Sequence, residues 1–126
     1  LVSTFLYTPK QGDVIVISHA QKYEKPIVKR VIATEGQTVD IDFDKGSVYV
    51  DGKELYEPYL THTIVPGTAN IEFPVTVPED CVFVLGDNRP VSLDSRYSEI
   101  GFIEEENILG KAQLIVYPFS RFSGVH

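Results

Sequence analysis

The chain contains no methionine and no tryptophan, and its one cysteine is Cys81. A lone cysteine excludes an internal disulfide and does not tell cytosol from exterior. Cys81 stands in the apolar run Cys81-Val82-Phe83-Val84-Leu85, which reads as a strand with a small buried hydrophobe at its start rather than a reactive thiol. No apolar stretch approaches the roughly 20 residues of a spanning helix. No leader segment is visible either. The chain starts at Leu1 without methionine, which points to a piece cut from a longer protein. The lack of an anchor in this chain therefore says nothing about the parent. Basic residues are also in deficit: 11 Lys and Arg against 18 Asp and Glu, a net charge of −7. That balance argues against nucleic acid, which demands a basic face. It leaves no polybasic patch for anionic lipid.

What is present suffices for one compact domain. The 126 residues are 43% hydrophobic, with aromatic and β-branched residues spread along the whole chain, which argues against disorder. The hydrophobic period is that of strands. Asp13-Val14-Ile15-Val16-Ile17-Ser18 follows the turn signal Gln11-Gly12, and Pro26 to Ala33 forms a second apolar run. Thr38 to Phe43 alternates, as a half-exposed strand should. Ser47 to Val50 leads into Asp51-Gly52, a type I′ hairpin signal, with the return strand expected from Leu55. Residues 56–71 hold prolines and polar residues and read as a loop. Phe73 to Pro78 is edge-like, because its prolines cannot donate to a ladder. Cys81 to Leu85 reads as an inner strand ending in a polar loop. Glu104 to Asn107 suits one helical turn, and Lys111 to Tyr117 a closing strand. The expected fold is mostly β: one domain over 1–126, with 44–79 as a small excursion, and connections too short for βαβ units.

Two features interrupt the apolar pattern in a way chemistry could use. Lys29 lies inside Ile27-Val28-Lys29-Arg30-Val31-Ile32, so Lys29 and Arg30 point to opposite faces. A lysine in dry surroundings loses its proton more easily and becomes a usable general base. Position alone favours an ordinary solvated lysine, as most lysines are. The second feature is Gly86-Asp87-Asn88-Arg89-Pro90-Val91-Ser92-Leu93-Asp94-Ser95-Arg96, a dense polar loop directly after an apolar strand. Composition weighs a plain surface turn and a functional loop equally, although functional loops on rigid sheets are common. His19 and His62 fall in expected loops and His126 is terminal. There is no Gly-x-Ser-x-Gly elbow, no metal-ligand spacing and no phosphate-binding glycine loop.

Taken together, these segments resemble the bacterial type I signal peptidases, serine/lysine endopeptidases. Gly12 to Ile17 looks like the Gly-Asp strand ahead of the lysine box, and Pro26 to Ile32 like the box itself. Gly86 to Tyr97 looks like the family's signature loop, and Gly101 to Ala112 like the segment after it. The order is right, and the likeness runs from about residue 10 to the end. The resemblance implies a signal-peptidase-like fold of coiled antiparallel or mixed sheets with short helical turns. It implies Lys29 as general base, with Ser92 hydrogen-bonding and orienting its nitrogen. It implies supporting ion pairs of Arg30 with Asp87 and of Arg96 with Asp94. Pro26, Ile27 and Val28 would line the cleft and pair with an extended substrate backbone. The implied partners are signal peptides of secreted preproteins and the membrane, through an anchor absent from this chain, at the extracytoplasmic face of the bacterial plasma membrane. No cofactor or metal is implied.

The chain departs from the family pattern in three places. The family's serine lies in a Ser-Met-x-Pro-Thr type motif well ahead of the lysine, whereas only 28 residues precede Lys29 and Ser3 is followed by Thr4. Ser3 therefore reads as an ordinary residue, and the nucleophile and anchor are expected upstream of Leu1. Pro90-Val91 stands where Asp-Asn is more usual, leaving Ser92 and Asp94 in register. Ala33-Thr34-Glu35-Gly36 replaces a Gly-x-Pro-Gly turn. The leading reading is an active parent and an inactive fragment. The alternative is a non-catalytic signal-peptidase-like scaffold or pilus-assembly accessory. A self-cleaving repressor domain shares the serine/lysine pair, but the Asp87–Arg96 loop argues against it.

Overall fold

A computed structural model describes residues 7–60 and 69–112. Within these residues every strand pairing is antiparallel. Nine strands form two sheets: β1 Val14–Ile17, β2 Ile27–Thr34, β3 Thr38–Asp42, β4 Ser47–Val50, β5 Lys53–Glu54, β6 Val75–Thr76, β7 Cys81–Leu85, β8 Ile103–Glu104 and β9 Ile108–Lys111. The first sheet runs β8-β7-β2-β1-β9 and the second β5-β4-β3-β6. A 3-10 turn, Glu105–Asn107, joins β8 to β9.

Alternation along the strands gives the first sheet two buried faces. Ile15, Ile17, Val31, Val82 and Val84 share one core with Ile100, Ile103 and Ile108. Ile32, Phe83 and Leu85 face the other way, into a core built with Val39, Ile41, Val48 and Val50 of the second sheet. The two faces of β2 are thus covered differently. Lys29 shares its face with Ile27 and Val31, whereas Arg30 shares its face with Ile32. A register shift between Val31 and Ala33 breaks this alternation past the bulge.

Several details differ from the sequence expectation. The return strand of the hairpin starts at Lys53, not Leu55. Asp51 and Gly52 both have positive φ, so they form a two-residue turn that sets Val50 opposite Lys53. Leu55 still donates its N–H to Val48. Cys81 is partly exposed rather than buried: at the start of β7 it packs against the margin of the core shared with the second sheet. The last strand begins earlier, at Ile108, and the expected stretch from Gln113 to Tyr117 lies outside the described residues. β8 was not foreseen, since two residues carry no readable period. The edge position of β6 and the turn at Glu105–Asn107 are as expected.

Candidate active site

β2 delivers Lys29 and β7 delivers the loop that meets it. β7 pairs with β2 only from Arg30 onward, at Leu85. Beyond Leu85 the chain leaves the sheet, and the loop from Gly86 folds back against the unpaired part of β2. There the Lys29 Nζ donates a hydrogen bond to Ser92 Oγ at 2.9 Å. Burial holds the Lys29 amine below the ordinary lysine range, because desolvation penalises its charged form. Asp94 and Asp87 pull the other way, Arg96 adds to the lowering, and the net direction is down.

The space for this contact comes from a missing side chain. A Cβ on Gly86 would overlap the Ser92 hydroxyl, lie 2.5 Å from Ser92 Cβ and stand 3.3 Å from Lys29 Nζ. No rearrangement of a flexible tip relieves that, so glycine is required here on packing grounds.

Buried charge holds the loop. Asp94 and Arg96 are fully buried and paired, with Arg96 Nε donating to Asp94 Oδ1 at 2.8 Å. The second Asp94 oxygen accepts from the Gly86 N–H at 2.9 Å. Arg96 Nη2 also reaches the carbonyls of Arg89, at 2.8 Å, and Ser92, at 3.2 Å. Ser95 accepts from the Val84 N–H and donates to the Gly101 carbonyl. Arg30 makes a two-pronged contact with Asp87, at 2.9 and 2.7 Å. The expected partners, Lys29 with Ser92, Arg30 with Asp87 and Asp94 with Arg96, are therefore all brought together.

Ile27 and Val28 are half-buried and Pro26 is exposed. On the β7 side, Ile27 to Lys29 have no strand partner among the described residues. An extended peptide could add there by backbone hydrogen bonds. His19 is exposed beside Ser18, while Ser3, His62 and His126 lie outside the described residues.

A family profile described as "Signal peptidase, peptidase S26" matches residues 1–117. The chain belongs to the signal peptidase S26 family. A signal peptidase I of Bacillus licheniformis is 37% identical over 117 residues, covering 88% of this chain and 61% of the relative. A probable signal peptidase I-1 of Synechocystis is 39% identical, covering 96% of this chain and 61% of the relative. This chain thus spans about three-fifths of the length of those two proteins. The crystal structure of a signal peptidase I from Enterococcus faecalis superposes with a TM-score of 0.67 at 31% identity, covering 83% of this chain and 97% of that one. The signal-peptidase fold expected from the signature loop and lysine box is therefore the fold observed, with antiparallel rather than mixed sheets.

Three contributors are not evident from the sequence. Gly86 stands there only as part of a motif, and Arg89 and Glu57, paired at 2.6 Å, carry no role in it. The signal for Arg89 was its place inside the polar loop; Glu57 carried none, because its partner is 32 positions away.

Proposed function

We propose that the chain carries the general-base half of a serine/lysine endopeptidase that removes signal peptides from secreted preproteins. The single observation carrying this is the Lys29–Ser92 contact in a partly dry site, on a chain of the signal peptidase family. In this reading a serine hydroxyl attacks the scissile carbonyl as neutral Lys29 accepts its proton. The oxyanion is held by donors near that serine. The nitrogen leaves with a proton returned from Lys29, and water then hydrolyses the ester with Lys29 acting again. Ser92 orients the lysine nitrogen; Arg30–Asp87 and Arg96–Asp94 hold the loop. Pro26 to Val28 bind the substrate strand along their open edge, with small apolar pockets selecting small residues such as alanine before the cut.

The nucleophile is supplied by a Ser-Met-x-Pro type segment that is not in this chain, so the chain alone is inert. We also read residues 1–126 as one extracytoplasmic peptidase domain with 44–79 as an excursion from its catalytic core. The parent is held at the outer face of the bacterial plasma membrane by an anchor outside this chain. No described helix is long and apolar enough to cross a membrane.

The test is cleavage of a signal-peptide substrate by the 126-residue chain and by a longer protein that includes the serine-bearing segment. The longer protein should cleave, its K29A variant should not, and the chain alone should be inactive. Cleavage by the chain that is abolished by K29A would contradict the supplied-serine reading. A longer protein that never cleaves would favour the scaffold alternative.

A further inference from the structure

The Gly86–Arg96 loop is gripped from the second-sheet side by a segment remote from it in sequence. The Glu57 side chain, only 7% exposed, accepts a charge-assisted hydrogen bond from Arg89 Nη2 at 2.6 Å. The Tyr59 hydroxyl donates to the same carboxylate oxygen at 3.2 Å. The Tyr59 ring stacks on Arg30, whose Cζ lies 3.8 Å from the ring centroid. Arg30 in turn holds Asp87, and Arg89 Nε donates to the Gly86 carbonyl at 2.8 Å. The contacts close a ring from Gly86 through Asp87, Arg30, Tyr59, Glu57 and Arg89 back to Gly86. Gly86, the member of that ring where the chain returns, is the residue whose bare Cα leaves room for Ser92.

Energetics gives Glu57 the larger share. Arg89 is fully buried, and its Nη1 has no hydrogen-bond partner among the described residues. A buried guanidinium without a carboxylate is costly, so without Glu57 the arginine must move or admit water. Movement would spread, because the Arg89 carbonyl is held by Arg96, the partner of Asp94. Among the described residues, the Glu57 and Tyr59 side chains bond to each other, Glu57 pairs with Arg89 and the Tyr59 ring stacks on Arg30, and neither makes an ion pair or hydrogen bond to β3 to β6. They serve the loop and β2 rather than the sheet they follow.

We propose that Glu57 and Tyr59 are positioning residues of the proposed catalytic loop, clamping Gly86–Arg89 through the Arg30 face of β2 so that Ser92 stays against Lys29 on the opposite face. The proposal rests on the reading of Lys29 as base and Ser92 as its orienting partner. It gives the segment after the hairpin a duty in the site beyond spacing the two sheets.

The test compares E57A, E57Q and Y59L with the parent in the 126-residue chain, by residue-resolved amide hydrogen exchange and by NMR titration of the Lys29 side chain. In E57A the amides of Gly86, Ser92 and Arg96 should exchange about ten- to a hundredfold faster, with β3 and β4 amides unchanged. The Lys29 midpoint should move toward those of exposed lysines. E57Q should be milder, since its amide oxygen still accepts from Arg89. Loop amides that exchange in E57A as in the parent overturn the proposal. If E57A does not fold, parental loop exchange in both E57Q and Y59L overturns it. A parent whose Lys29 titrates with the exposed lysines removes the base reading instead, and the loop exchange still decides the clamp.

Discussion

Lys29 and Ser92 are 63 positions apart, yet the Lys29 Nζ hydrogen-bonds the Ser92 hydroxyl at 2.9 Å. The contact exists because β7 stops pairing with β2 at Arg30 and its continuation folds back over the half of the strand left unpaired on that side. The lysine is thereby covered by the residues that orient it, and covering is what makes its proton easier to lose.

Gly86 should be intolerant of the smallest addition. G86A places a methyl group on the Ser92 hydroxyl, so Ser92 or Lys29 must move. In a longer protein that cleaves signal peptides, kcat should fall about a hundredfold, the usual effect of misplacing a reacting group by an ångström. Steady-state kinetics checks this, and parental kcat would show the contact to be irrelevant to catalysis.

The Arg30–Asp87 pair should matter for stability as well as for shape. Each side chain is 17% exposed, so the pair is largely but not wholly removed from water. D87N leaves Arg30 with a neutral partner and should cost about 1–3 kcal/mol, less than a fully buried pair. Urea unfolding measures it. A variant as stable as the parent would mean solvent already screens the pair.

Lys29 should leave a mark on stability against pH. Its folded pKa is depressed, so the unfolded chain binds more protons between the folded value and the ordinary lysine value of about 10.4. The parent should therefore gain stability relative to K29M as pH rises through that window. Below the folded pKa the penalty for burying the ammonium is fully present. Denaturant unfolding of both proteins from neutral pH upward checks the sign, and a difference independent of pH contradicts it.

An acidic corner away from the lysine should respond in the opposite sense. Burial, then Glu35 and Asp80, push the Glu105 carboxyl above its ordinary value. Its favourable contribution is present below the ordinary glutamate value of about 4.3 and lost as pH rises through the folded value. E105Q should raise the melting midpoint at pH 7 by about 1–3 °C, and less in high salt. At pH 4 the gain should vanish. Parallel melting curves at the two pH values test it.

The strands that carry the site were legible because each has a clean apolar run between turn residues. β1, β2, β3, β4 and β7 fall close to where periodicity put them. Lys29 was not legible from its own strand: its neighbours on one face are apolar, but nothing local says that a loop will cover it. The loop after Leu85 supplied that, through its likeness to the family signature. Glu57 and Tyr59 stayed hidden because a Pro-containing polar stretch looks like any connection until the sheets are assembled. Cys81 differs for a related reason: its run is apolar, but the cover at the start of β7 depends on how the two sheets meet.

Under the proposed function, Lys29 is held as a desolvated base by Ser92. NMR titration of the Lys29 side chain, in the 126-residue chain and its S92A variant, tests it most directly. Lys29 should titrate below the other lysines, and S92A should shift its midpoint while leaving theirs in place. A Lys29 that titrates with the exposed lysines at about 10.4, unmoved by S92A, would contradict it.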